Sequence, residues 1–141
     1  MAEVLARKLA SDSGLERVEF SSAGTSTVLG LPASEGAQKT ARSHGLSLDD
    51  HRSTPLSPEL VERADRIFAM GPTHLHRVRE MGGEGKSALL GAFARPEQGP
   101  ENHLAVPDPF GETEEVYEET FQTLEIYVGL ALGRLAEEEE G

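Results

Sequence analysis

The chain has 141 residues and no cysteine, and its 25 acidic side chains outnumber its 13 basic ones, for a net charge of −12. This length fits a single domain, residues 1–141, that buries a hydrophobic core. The excess of negative charge disfavours nucleic acids and anionic membranes as partners. The lack of cysteine excludes disulfides, thiolate metal ligands and a cysteine nucleophile within these residues.

No apolar run approaches the roughly 20 residues that a membrane span requires. The N-terminal sequence MAEVLARKLA lacks the features of a signal peptide, so a cytoplasmic location is the expectation. The acidic stretch at 112–119 and the acidic tail at 137–141 are typical of a solvated helix face or a frayed end.

The first part of the chain predicts two helices with a strand between them. Residues 3–10 predict a short helix with its apolar side chains on one side. The segment VEFSSAGT at 18–25 predicts a strand that breaks into a loop. Ser34 suits the N-cap of a helix that runs to His44, with Gly45 in the C′ position.

The middle of the chain alternates between helices and short apolar runs. Ser57 followed by Pro58 is typical of a helix start, and this helix is expected to continue through Ala64. RIFAM at 66–70 predicts a buried strand, residues 73–80 predict a helix, and SALLGAF at 87–93 is a further candidate strand.

A long amphipathic helix is predicted from Thr113 onward. Its apolar positions recur at steps of three to five residues: Val116, Phe121, Leu124, Val128, Leu132 and Leu135. Because strands alternate with helices along the chain, the sequence predicts an α/β fold of three layers, with a short parallel sheet flanked by helices.

Two sequence features invite a cofactor or metal hypothesis. GEGKS at 83–87 resembles the end of a nucleotide-binding loop, but the motif requires a glycine where Glu80 stands. His74 and His76 lie two residues apart on a predicted helix and face different ways, while His76 and Glu80 provide only two ligands. We therefore expect neither a cofactor nor a metal.

Three short motifs carry polar side chains suited to chemistry. SSAGT at 21–25 is a common strand-end turn, and DDHRS at 49–53 alone reads as a salt-linked surface turn. VPDPFGE at 106–112 places Asp108 between two prolines and before Phe110, an arrangement that suits proton transfer. None of these motifs identifies a function by itself.

In order and spacing, however, these motifs resemble the low-molecular-weight protein tyrosine phosphatases. The resemblance is carried by MAEVLARKLA, SSAGT, GLPAS, HGLSLDDHRSTPLSPELVERADRIFAM, LLGAF and VPDPFGETEEVYEETF, and it covers nearly the whole chain. The glutamate-rich sequence after DPFG is most similar to bacterial members, including the arginine phosphatases. Arsenate reductases share the fold but require resolving cysteines, which this chain lacks.

The resemblance implies a reaction in two steps on a phosphorylated protein or a small phosphomonoester. A cysteine thiolate attacks phosphorus, and an arginine binds the equatorial oxygens. Asp108 matches the general acid that protonates the leaving group and then activates water. Ser22 and His51 match side chains that support the phosphate loop, and Phe110 matches the aromatic residue lining the substrate cleft.

In that family an apolar first strand and a C-x5-R phosphate loop precede the sequence M-A-E, with which this chain begins. The resemblance implies that the first strand is missing here, so that VEFSS and RIFAM lack a shared neighbour. The chain as given is then expected to be inactive. Three explanations remain open: a start assigned too late, which we favour, a fragment, or a pseudophosphatase that acts as a binding module. The physiological substrate and the oligomeric state stay undetermined.

Overall fold

The structure is a computed structural model that describes residues 1–15, 17–98 and 104–140, without the side chains of 98, 139 and 140. Helices flank a short parallel sheet of two strands, which confirms the predicted α/β class. In chain order the elements are α1 (Ala2–Asp12), α2 (Glu35–Ser43), α3 (Pro58–Arg63), β1 (Ile67–Ala69), α4 (Pro72–Val78), β2 (Ser87–Leu89), α5 (Leu90–Ala94) and α6 (Glu114–Glu140).

The predicted starts of α2 and α3 are confirmed, because both expected capping serines form their hydrogen bonds. The Oγ of Ser34 accepts a hydrogen bond from the backbone N–H of Ala37 at 3.3 Å. Ser57 caps α3 in the same way through the N–H of Leu60, and Pro58 occupies the first turn. These hydroxyls satisfy N–H groups that have no acceptor within the helix.

The sheet is short and parallel, as predicted. β1 pairs with β2 in the register Ile67 to Ser87, Phe68 to Ala88 and Ala69 to Leu89. Within the described residues β2 is the only strand beside β1, so the other edge of β1 carries backbone groups without a strand partner. An unpaired edge of this kind can accept a further strand.

Two predicted strands are wrong in whole or in part. Residues 18–23 form no strand in the described chain, because a strand requires a hydrogen-bonded neighbour as well as suitable side chains. The run 87–93 is a strand only to Leu89 and then becomes α5. A short buried apolar run has no periodicity that separates helix from strand.

Two helix predictions need adjustment at their ends. α4 ends at Val78, and a π-helical turn, Arg79–Gly83, follows in which Gly82 has a φ of +101°. A short 3-10 turn occupies Pro96–Gln98. α6 continues through the acidic tail to Glu140. Within this tail, Nη2 of Arg66 lies 2.7 Å from Oε2 of Glu138.

The core lies where α1 and α5 pack against α6, while α4 packs on both strands. Phe121 is fully buried at its centre, and residues from α1, α5, α6 and the segment before α6 surround it: Leu5, Ala6, Ala10, Leu90, Phe93, Val106, Leu124, Val128, Ala131 and Leu132. Among the described helices, none combines the length and hydropathy needed to cross a bilayer.

Candidate active site

Hydrogen bonds link the segments 24–25, 54–56 and 106–112 to one another or to the chain that follows β1. The chain leaves β1 through Met70, whose carbonyl accepts a hydrogen bond from the N–H of Val106 at 2.7 Å. This bond holds the segment that leads to Asp108 against the end of the strand. In parallel sheets, the carboxyl ends of the strands are the usual location of functional side chains.

The SSAGT segment is hydrogen-bonded to two other parts of the chain, the loop before α3 and helix α4. Gly24 donates to the carbonyl of Thr54 and accepts from the N–H of Leu56, both at 2.9 Å. The hydroxyl of Thr25 lies 2.9 Å from Nδ1 of His74 in α4. The loop at 21–25 is therefore tied to the chain after His51 and to the helix that follows β1.

Ser22 reaches the N-terminal turn of α1. Its exposed hydroxyl donates to Oε1 of Glu3 at 2.7 Å, and the other carboxylate oxygen of Glu3 binds Arg7 at 2.9 Å. Arg7 in turn donates to the carbonyl of Phe20 at 3.0 Å. Burial lowers the pKa of the Met1 α-amino group at the start of this helix, against the opposing effect of Glu3.

The loop at 106–112 presents Asp108 to solvent in a defined conformation. The N–H of Phe110 donates to Oδ1 of Asp108 at 3.0 Å, and the N–H of Glu112 donates to the carbonyl of Pro109 at 2.9 Å. Gly111 has a φ of +82°, a conformation that glycine adopts without steric cost. An exposed carboxyl held in this way can exchange a proton with a bound molecule.

The remaining two predicted site residues differ in their surroundings. His51 is half-buried, and its backbone N–H donates to Leu48. Within the described part of the chain, no hydrogen bond links His51 to Ser22 or to Asp108. The Phe110 side chain is 74% exposed, so it is available to contact a ligand beside Asp108.

A groove of about 430 Å³ runs between the Asp108 loop and α6. Apolar and hydroxyl side chains form much of its wall, while Asp108, Glu112 and Glu119 add three carboxyl groups. No three potential metal ligands come together among the residues that the structure describes. His76 and Glu80 form a surface pair, in which Nε2 of His76 lies 3.6 Å from Oε1 of Glu80.

Sequence reasoning missed the structural parts played by Thr25, His74 and Met70. The sequence suggests His74 only as a metal ligand, whereas in the structure its Nδ1 is within hydrogen-bonding distance of the Thr25 hydroxyl in the SSAGT loop. Met70 acts through its backbone carbonyl, which no side-chain pattern reveals. Spatial neighbours this far apart in the chain have no local signal in a single sequence.

Comparison with known proteins identifies the family to which this fold belongs. The family model for the low molecular weight phosphotyrosine protein phosphatase matches residues 1–140. The low molecular weight protein-tyrosine-phosphatase Etp of Escherichia coli (strain K12) is 29% identical over 113 residues, which cover 79% of this chain and 72% of Etp. Wzb, a protein of the same description and organism, is 30% identical over 110 residues, or 77% and 70% of the two chains.

A solved structure extends the similarity to the whole fold. The YwlE arginine phosphatase, a Bacillus subtilis protein, superposes with a TM-score of 0.85 at 28% identity. The match to its form with a phosphorylated active-site serine covers 96% of this chain and 86% of YwlE. The similarity shows that the two proteins share one fold.

Proposed function

Because the chain belongs to the low molecular weight phosphotyrosine protein phosphatase family, we propose that it is the body of a phosphoprotein phosphatase whose general acid is Asp108. The nucleophile and the C-x5-R loop lie outside these 141 residues, which contain no cysteine. The observation that carries the proposal is the exposed Asp108 carboxyl, held by the N–H of Phe110 in a loop bonded to the end of β1.

Asp108 has two tasks in this proposal. As the neutral acid it protonates the oxygen or nitrogen that leaves phosphorus when a thiolate attacks from the opposite side. As the carboxylate it then removes a proton from the water that releases phosphate. Its exposure supports both tasks, because the carboxyl is accessible to a bound leaving group and to water.

The segment that brings the nucleophile is proposed to add a strand along the unpaired edge of β1, ahead of α1. Residues 18–23 also lack a strand partner in the described chain and are the second segment with which the added strand would pair. Ser22 and the Glu3 carboxylate it binds would support the phosphate loop, together with His51. Phe110 would contact the leaving group beside Asp108.

The substrate is proposed to be a phosphorylated side chain of a protein, either phosphotyrosine or phosphoarginine. Etp and Wzb are described as protein-tyrosine-phosphatases, and YwlE as an arginine phosphatase. The loop outside these residues would supply most of the side chains that choose between the two substrates. The acid groups Asp108, Glu112 and Glu119 around the groove favour a cationic guanidinium leaving group over a phenol.

The test is to fuse the strand and phosphate loop of Etp, or those of YwlE, to the N-terminus of the 141-residue chain. We expect both fusions to hydrolyse p-nitrophenyl phosphate, and the chain alone to be inert. Release of phosphate from phosphoarginine and phosphotyrosine peptides then measures the substrate preference. Turnover by the unfused chain would contradict the proposal, because it would require a nucleophile other than cysteine.

The absence of cysteine supports a second function, that of a non-catalytic binding module. This alternative requires the unfused chain to bind a phosphorylated partner. Isothermal titration of the chain with phosphotyrosine and phosphoarginine peptides, against their unphosphorylated forms, measures such binding. A folded but inactive fusion together with phosphate-dependent binding by the chain alone would favour the binding module over the phosphatase.

A further inference from the structure

Gly91 lies in the first turn of α5 at a point where the backbone of Leu104 crosses the helix. A Cβ atom at this position would overlap the Leu104 carbonyl oxygen, and it would lie 3.0 Å from both Cβ of Leu104 and Cε2 of Tyr127. The clash with the carbonyl involves backbone, so no change of rotamer relieves it. The close approach therefore depends on the absence of a side chain at 91.

The segment that crosses Gly91 leads directly to the general acid. Leu104 is 2% exposed and Val106 is 6% exposed, and the N–H of Val106 is bonded to Met70. Pro107 has a fixed φ, and a residue that precedes proline is restricted to extended conformations. Because Leu104 and Val106 are buried, Val106 is bonded to Met70 and Pro107 has a restricted backbone, a displacement at Leu104 is expected to shift Asp108.

We infer that Gly91 is a positioning residue for the Asp108 loop: its bare backbone sets the depth at which Leu104 packs, and thereby the place of the general acid at the end of β1. The catalytic meaning of this inference rests on the proposed function. Its structural content does not, because the position of the loop is measured without any turnover.

The test compares the ¹⁵N-labelled 141-residue chain with its Gly91→Ala variant by NMR. We expect the largest amide shift changes at Val106, whose N–H binds Met70, and at Phe110, whose N–H binds the Asp108 carboxylate. We also expect hydrogen exchange at the Val106 amide to accelerate roughly tenfold or more, because its bond to Met70 is strained. Amides of α1 should change little.

Gly133→Ala is the matched control, since a Cβ at Gly133 meets no atom within 4 Å. Gly91→Ala is also measured in a chain that carries both Gly129→Ala and Gly133→Ala. These two substitutions in α6 are expected to offset the stability that Gly91→Ala removes. Unchanged amides at Val106 and Phe110 would overturn the inference. Changes spread equally over α1 and α6, or loss of folding in both backgrounds, would also overturn it, because Gly91 would then serve the fold as a whole.

Discussion

Nε2 of His44 lies 2.7 Å from Oε1 of Glu118 and joins the C-terminus of α2 to α6. The His44 ring also stacks on Phe121, with ring centroids 4.0 Å apart and planes inclined by 15°. The hydrogen bond from His44 lowers the pKa of Glu118, and a second bond, from Gln122, acts in the same direction. The pair thus connects the surface of the molecule to the centre of its core.

The lowered pKa of Glu118 predicts a dependence of stability on pH. A carboxylate favoured in the folded state adds stability above its unfolded pKa, and this stability is lost as the pH falls through the lowered folded pKa. We expect Glu118→Gln to destabilise the chain near neutral pH and to have a smaller effect in acid. Urea unfolding of both proteins across a pH series measures the difference.

Glu115→Gln is the control for this experiment, because Glu115 is an exposed acid of the same helix. Its effect on the unfolding free energy should be small and nearly independent of pH. A Glu118→Gln effect that stayed constant from neutral to acid pH would remove the hydrogen bond from His44 as the cause of the pKa shift.

Much of this architecture is predictable from local sequence, and the exceptions have physical reasons. The Ser34 and Ser57 caps were predicted because a cap is formed within four residues. Residues 18–23 have the composition of a strand, but strand formation depends on a neighbour that the segment itself cannot specify. For the same reason the motif around Asp108 is recognisable in the sequence, whereas the contact between Gly91 and Leu104 is not.

Two glycines of α6 that have free space around them predict a gain in the free energy of unfolding on substitution by alanine. Gly129 and Gly133 are exposed in the interior of a 27-residue helix, and a Cβ at either position meets no atom within 4 Å. Replacing each by alanine should stabilise the fold by about 0.5–1 kcal/mol, because alanine loses less backbone entropy in a helix. Chemical denaturation of the single and double variants measures the gain and its additivity.

Gly36 is the contrasting case for that prediction. It also lies in a helix, but a Cβ there would meet the ring of Tyr117, with Cζ at 2.5 Å. The Tyr117 hydroxyl is 3.0 Å from Oγ of Ser34, so the ring is held in place. Gly36→Ala should therefore destabilise the chain, and a gain equal to that at Gly133 would contradict the packing described for α2 and α6.

Phe121 is the side chain on which the core depends most. It is 0% exposed and contacts α1 and α5 residues as well as the His44 ring. Phe121→Ala should cost about 3–5 kcal/mol, because the cavity cannot be refilled by the surrounding helices. Ile126→Ala, at a 51% exposed position of the same helix, should change the unfolding free energy far less. Thermal and urea unfolding of the two variants give the comparison.

The assignment of Asp108 as general acid makes a kinetic prediction for the fusions that carry a phosphate loop. Asp108→Ala should lower turnover of substrates with poor leaving groups by roughly 10²–10⁴-fold, because these leaving groups require a proton in the transition state. Good leaving groups should be affected much less, so the slope of rate against leaving-group pKa should steepen. Stability should be unaltered, since Asp108 is exposed and its bond is to one N–H only.

Glu112→Gln provides the matched control, because Glu112 lines the same groove as Asp108 without its hydrogen bond to Phe110. This variant should leave the leaving-group dependence unchanged, and any effect should appear in KM for phosphoarginine substrates, whose leaving group is a guanidinium. If Asp108→Ala left the rate on poor leaving groups intact while Glu112→Gln reduced it, the acid would be Glu112. The loop at 106–112 would then keep its place at the end of β1 while Asp108 served only as the acceptor of the turn.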